Sequence, residues 1–157
     1  MLEARNFSRE SYDQFDSMVK NIVVDFIEYN GGLITKLEED YSFDIEFLYG
    51  GMKYLAEVEA KSNYRFNDAD SFPFETVSFT GRKLRLHKIS PFWYIIVNYT
   101  DMIAIVCHSS KIYRDDYLER LNIDTEHRKG RDEFYRVPKE ECKFINLNNY
   151  ATTKTQC

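Results

Sequence analysis

The sequence predicts a mixed α/β fold, and three observations carry that expectation. Apolar residues recur at helical spacing through the first thirty residues, two segments around Gly50-Gly51 alternate with the period of strands, and two short apolar runs between residues 92 and 107 have the pattern of buried strands. Ser11 followed by Gln14 is a capping-box pattern, and Phe15, Met18, Val19, Ile22, Val23 and Phe26 form the stripe of a helix over about 12–29. Asn30-Gly31-Gly32 ends it, because glycine accepts the left-handed conformation that closes a helix. Residues 33–37 make a short strand, and Glu38-Glu39-Asp40 is a charged turn into the next pair.

That pair is the most informative part of the chain. Gly-Gly between two strand patterns reads as a two-residue turn, which sets Tyr49 opposite Met52, Phe47 opposite Tyr54 and Asp44 opposite Glu57. A four-residue loop would put Asp44 opposite Glu59 instead. In either register one face carries Asp44, Glu57, Glu59 and Lys61, and the other carries Phe43, Ile45, Phe47, Tyr54, Ala56, Val58 and Ala60. The apolar face needs a cover, and the first helix is the expected one. Opposed Cβ atoms lie about 4.5–5.5 Å apart, where like charges destabilise a sheet unless a cation sits between them, so the carboxylate face is expected to hold a metal.

Asp44, fourteen intervening residues and then Glu59-Ala60-Lys61 at the end of a hairpin strand resemble the PD-(D/E)XK nuclease superfamily. Phe43 stands where the name-giving Pro would be. The stretch Val77-Ser78-Phe79-Thr80-Gly81-Arg82-Lys83 and the apolar hairpin after it look like small phage and bacterial members. The resemblance implies a restriction-endonuclease-like core over roughly residues 10–110, a central mixed sheet flanked by helices, within a single nuclease-like domain. It implies a Mg²⁺- or Mn²⁺-dependent endonuclease that hydrolyses DNA, and it admits a homodimer. Asp44 and Glu59 would hold the ion with the carbonyl of Ala60, and Lys61 would orient or help deprotonate the attacking water. Glu57 would hold a second ion or tune Lys61. Arg82, Lys83 and Arg65 would meet phosphates, and Asp25 is the candidate for a further acid on the first helix.

Beyond the motif, residues 62–73 are polar with interleaved aromatics and read as a mobile loop on which Tyr64 or Phe66 could stack bases. A strand is expected over 74–79, a buried hairpin at 93–97 and 102–107 as the centre of the sheet, a charged helix from Ser110 through Leu121, and a short strand at 133–137.

Composition bounds these readings. With 157 residues and 43% apolar content the chain can bury its own core. The longest apolar run is far short of a bilayer span, and the opening residues lack the apolar core of a signal peptide, so a cytosolic protein with no membrane partner is expected. Cys107, Cys142 and Cys157 form no C-x-x-C pair, which argues against a zinc site or disulfide framework. No P-loop or dinucleotide fingerprint occurs. The net charge of −5 opposes simple nucleic-acid binding, although Arg82, Lys83, Arg85, His87 and Lys88, and again His127, Arg128, Lys129 and Arg131, are clustered. A non-catalytic module of the same fold, binding nucleic acid or a protein, is the alternative.

Overall fold

The computed structural model describes residues 9–37, 43–62, 64–125 and 128–151. The first helix, α1, spans Arg9–Tyr29 and places Val19, Val23 and Ile27 at four-residue spacing on its buried side. It closes in a Schellman motif: Gly31, at φ +94°, donates to the carbonyl of Glu28, and Gly32 donates to that of Ile27.

Strands β1 (Leu33–Leu37), β2 (Ile45–Tyr49) and β3 (Met52–Lys61) then run antiparallel. The turn between β2 and β3 is the two-residue one, with Tyr49 paired to Met52 and Phe47 to Tyr54. Gly50 and Gly51 take φ of +59° and +79°, a conformation in which the turn follows the strand twist and which side-chain-bearing residues rarely adopt.

β3 pairs in parallel with β5 (Trp93–Asn98), so a crossover must join them. That crossover holds β4 (Thr76–Thr80), a 3₁₀ turn at Gly81–Lys83 and α2 (Leu84–Ile89). β5 turns back into β6 (Ile103–His108), and after α3 (Ser109–Ile112) the chain forms β7 (Leu118–Thr125), β8 (Arg128–Pro138), β9 (Lys143–Asn146) and α4 (Asn148–Ala151). Six strands form a mixed sheet in the order β1-β2-β3-β5-β6-β9, and β4-β8-β7 form a second, antiparallel sheet. The protein is α/β, and β5 lies inside the larger sheet with Tyr94 to Asn98 all buried.

Each face of the larger sheet has its own core. On one, Ile45, Ala56, Val58, Ile95 and Val97 pack with Val19, Val23 and Ile27 of α1, as the apolar face of the hairpin requires. On the other, Tyr94, Ile96 and Ile105 pack with Val77 and Phe79 of β4, Leu86 of α2, and Tyr135 and Val137 of β8. Phe43 departs from the expected alternation: β2 begins only at Ile45, the chain bends at Asp44, and Phe43 packs on Phe92 in the second core.

The charged helix expected from Ser110 is a four-residue helix, a 3₁₀ turn and then β7, which owes its strand form to pairing with β8. Within the 62–73 stretch, where a mobile loop was expected, residues 64–73 are tied down. Phe66 is 7% exposed in the core, Arg65 is paired with Asp101, and Ser71 and Asp68 close a turn. Among the described residues no helix is long and apolar enough to cross a membrane.

Candidate active site

β3 continues past the point where β2 stops, and the candidate site is built on that overhang. The last β2–β3 pair is Ile45 with Ala56, so from residue 57 onward that side of β3 lacks β2 as a partner. Asp44 supplies the replacement: its Oδ2 accepts the backbone N–H of Val58 at 2.9 Å, while its own N–H donates to Glu57 Oε2 at 2.7 Å. Its carboxylate therefore lies at the strand edge and faces α1, from which Lys20 Nζ reaches Oδ1 at 3.3 Å. Asp44 does not share the face of Glu57 and Glu59 as the simple alternation predicts, because the bend before Ile45 turns it.

The carbonyl oxygen of Lys61 accepts the N–H of Tyr99, the residue that follows β5, so that carbonyl points toward β5. Successive carbonyls of a strand point to opposite sides, which turns the carbonyl of Ala60 to the Asp44 side. Asp44 and the Ala60 carbonyl thus lie on the same edge of β3.

Glu57, Glu59 and Lys61 project from the face that packs against the second sheet. Glu57 is buried, with Oε1 3.1 Å from Lys83 Nζ, which comes from the turn after β4 and also sits 5.3 Å from the centre of the Tyr94 ring. Burial pushes the Glu57 carboxyl above the usual glutamate range; Lys83 opposes the rise and the Asp44 charge adds to it. Glu59 is more open. Its Oε2 accepts the Tyr94 hydroxyl at 2.6 Å, and its Oε1 lies 3.9 Å from Lys61 Nζ, within ion-pair reach but beyond a hydrogen bond. Burial, and then the Glu59 charge, hold the Tyr94 phenol well above its ordinary value, so it stays a hydrogen-bond donor to Glu59.

Burial alone would lower the Lys20 ammonium. The charge of Asp44 and the hydrogen bond and charge of Asp16, 3.0 Å away, hold it above the ordinary lysine value instead. The helix acid joined to the cluster is thus Asp16, through Lys20. Asp25 lies five residues beyond Lys20, roughly 140° round the helix, and is not the acid that helix geometry brings to Asp44.

The expected phosphate contacts are placed differently. Lys83 enters the cluster but is committed to Glu57. Arg82 is exposed and pairs with Asp132 of β8 at 3.4 Å, and Arg65 binds Asp101 at 2.9 Å in the β5–β6 turn. The side chains of Arg128, Lys129 and Arg131, and all of His127, lie outside the described residues. Tyr94, Lys20 and Asp16 have no signal in local spacing, since each reaches the site from a separate element.

Among the described residues no three His, Cys, Asp or Glu side chains are grouped as a metal site. The expected set asks for two carboxylates and one carbonyl, all hard oxygen donors of the kind Mg²⁺ and Mn²⁺ take. The donor chemistry fits such an ion, with Lys20 and Lys61 now standing against the oxygens it would use. No protein-family model matches the chain, and no curated protein or solved structure matches it.

The buried carboxyl makes a prediction about stability. A carboxyl whose pKa rises on folding adds stability while protonated, in full below the ordinary value of 4.5, and loses that contribution as pH climbs through the raised value. Ionised Glu57 is therefore a cost at alkaline pH. Glu57→Gln keeps an oxygen for the Asp44 N–H and is expected to melt higher than the wild type at pH 8, with the gap closing toward pH 4. A gap that stays constant over that range would contradict the assignment.

Proposed function

We propose that this protein is a metal-dependent phosphodiester hydrolase acting on DNA, with a restriction-endonuclease-like core of the PD-(D/E)XK kind. The observation that carries the reading is the placement along the β3 overhang of the Asp44 carboxylate at the strand edge and of Glu59 and Lys61 on the adjoining face. Glu59 and Lys61, the outermost pair, keep side-chain exposures of 29% and 38%. Both can meet a substrate, whereas Glu57 and Lys83 beneath them are shielded.

Asp44, Glu59 and the Ala60 carbonyl would hold Mg²⁺ or Mn²⁺, which when bound supplies charge neutralisation at the phosphoryl oxygens and a more acidic water. Tyr94 fixes Glu59 by its hydroxyl and leaves the other carboxylate oxygen turned toward Lys61. Lys61 Nζ can hold a water by hydrogen bonding and offset charge on the phosphate. Lys83 and Glu57 act below this layer, fixing the backbone at Asp44 through its N–H.

One observation favours a second reading, a non-catalytic binding module. Asp44, Glu57 and Glu59 each already have a lysine within 4 Å, so the cluster is largely self-neutralised. The two readings part on metal. For the hydrolase, an ion at a hundred times its Kd adds about 2.7 kcal/mol to the native state. Wild-type protein is expected to melt higher in Mg²⁺ or Mn²⁺ than in EDTA, and Asp44→Asn to lose the difference. Equal melting in all three would contradict the hydrolase and leave the module.

A further inference from the structure

We propose that the cavity beside Lys61 is a pocket for one unstacked nucleobase of the substrate. The inference deepens the hydrolase reading by naming what the site holds next to the scissile bond, and most of its residues lie outside the carboxylate cluster. The cavity has a volume of about 350 Å³ and opens between the two sheets. That is near the lower end for ligand sites and suits one nucleotide-sized group.

Its walls are aromatic. Phe66 and Phe72 meet edge to face at 4.9 Å, and Tyr64 and Phe74 do so at 4.8 Å nearer solvent, where both are about half exposed. Ile96 and Ile105 line it from the larger sheet. The rim is preformed, because the buried Asn98 donates to the Tyr64 carbonyl at 2.6 Å and accepts the Thr100 N–H.

Two further features select a base over a purely apolar guest. Thr76 and Ser78 of β4 line the cavity, and within the described residues neither hydroxyl is engaged in a hydrogen bond. Lys61 and Arg136 also line it; Arg136 is ion-paired with Glu119, so Lys61, held among the described residues only by the 3.9 Å contact with Glu59, is the cation that an attached phosphate meets. Flat faces, edge hydrogen bonds and a cationic margin are the needs of a nucleobase on its phosphate; an acyl chain would leave the hydroxyls and charges unused. A paired, stacked base cannot enter such a pocket. The preferred substrate is therefore single-stranded, or carries an extruded nucleotide at the cleaved position.

The test uses the full chain in EDTA, so that no metal is required, with the methyl resonances of Ile96 and Ile105 as local reporters. Titration with dAMP and dTMP is expected to shift both methyls saturably, while deoxyribose 5-phosphate, which lacks the base, leaves them unmoved. Phe74→Ala, at an exposed wall, should weaken nucleotide binding on the order of ten- to a hundred-fold, and Ser78→Leu should block it by filling the cavity, with each variant's native spectrum confirming its fold. Equal responses to nucleotide and deoxyribose 5-phosphate, or none to either, would overturn the pocket. If the pocket fails while DNA is cleaved in Mg²⁺, the hydrolase stands without it. If the methyls respond and no DNA is cleaved with any ion, the base pocket stands and the hydrolase falls.

Discussion

Lys61→Met is expected to fold as the wild type does, to keep much of its DNA binding, and to cleave DNA about 10²–10⁴ times more slowly. Lys61 is partly exposed, and its ion pair is the 3.9 Å contact with Glu59. Such pairs contribute little to stability, and a methionine keeps much of the stem that packs at the cavity mouth. Its work lies at the water and the phosphate, where charge develops only during the reaction. A factor of 10²–10⁴ corresponds to about 3–5 kcal/mol of barrier. Single-turnover cleavage with enzyme in excess measures it, and a Lys61→Met protein that cleaves at the wild-type rate would remove Lys61 from the mechanism.

Phe79→Ala should produce the largest loss of stability, about 3–5 kcal/mol. Phe79 is fully buried on β4 and packs edge to face on Tyr94, with ring centres 4.9 Å apart. It is one of the side chains that join the second sheet to the larger one, so its removal leaves a cavity in the middle of that core. Against a total of about 5–15 kcal/mol for a typical domain, the loss is severe. Urea unfolding gives the value, and a loss below about 1 kcal/mol would contradict the packing of the two sheets. Because Tyr94 holds Glu59, the surviving folded fraction should also cleave poorly.

How far the sequence discloses this arrangement depends on whether the determining contacts are local. The β2–β3 register is legible because Gly50-Gly51 accepts a turn that few other pairs can, and the turn then sets every pair up to Ile45 and Ala56. The end of α1 is legible for a similar reason, since Gly31 and Gly32 supply the Schellman closure. Burial of β5 follows from an unbroken apolar run.

The strand β7 is not legible, because its charged residues have no period of their own and only the ladder to β8 makes them a strand. The four-residue edge strand β9 is too short to announce itself. In the site, the alternation of β3 correctly groups Glu57, Glu59 and Lys61. It misplaces the Asp44 carboxylate, since alternation holds only inside a strand and β2 starts one residue later. Lys20, Lys83 and Tyr94 meet the carboxylates through α1 packing, the crossover and the parallel β3–β5 pair, all long-range events. Arg65 and Arg82 look available in the sequence, but each finds an aspartate in the fold.

The central claim is that the residues gathered on the β3 overhang hydrolyse phosphodiesters. Its most direct measurement is cleavage of supercoiled plasmid and of single-stranded DNA by wild-type protein and by Asp44→Asn purified in parallel, each with Mg²⁺, Mn²⁺ or EDTA. The account predicts cleavage by the wild type with a divalent ion, none in EDTA, and loss of about 10²-fold or more in the variant, by the scale of a single electrostatic group. Wild-type protein that leaves DNA intact under every ion, or an Asp44→Asn protein that cleaves as fast as the wild type, would contradict it.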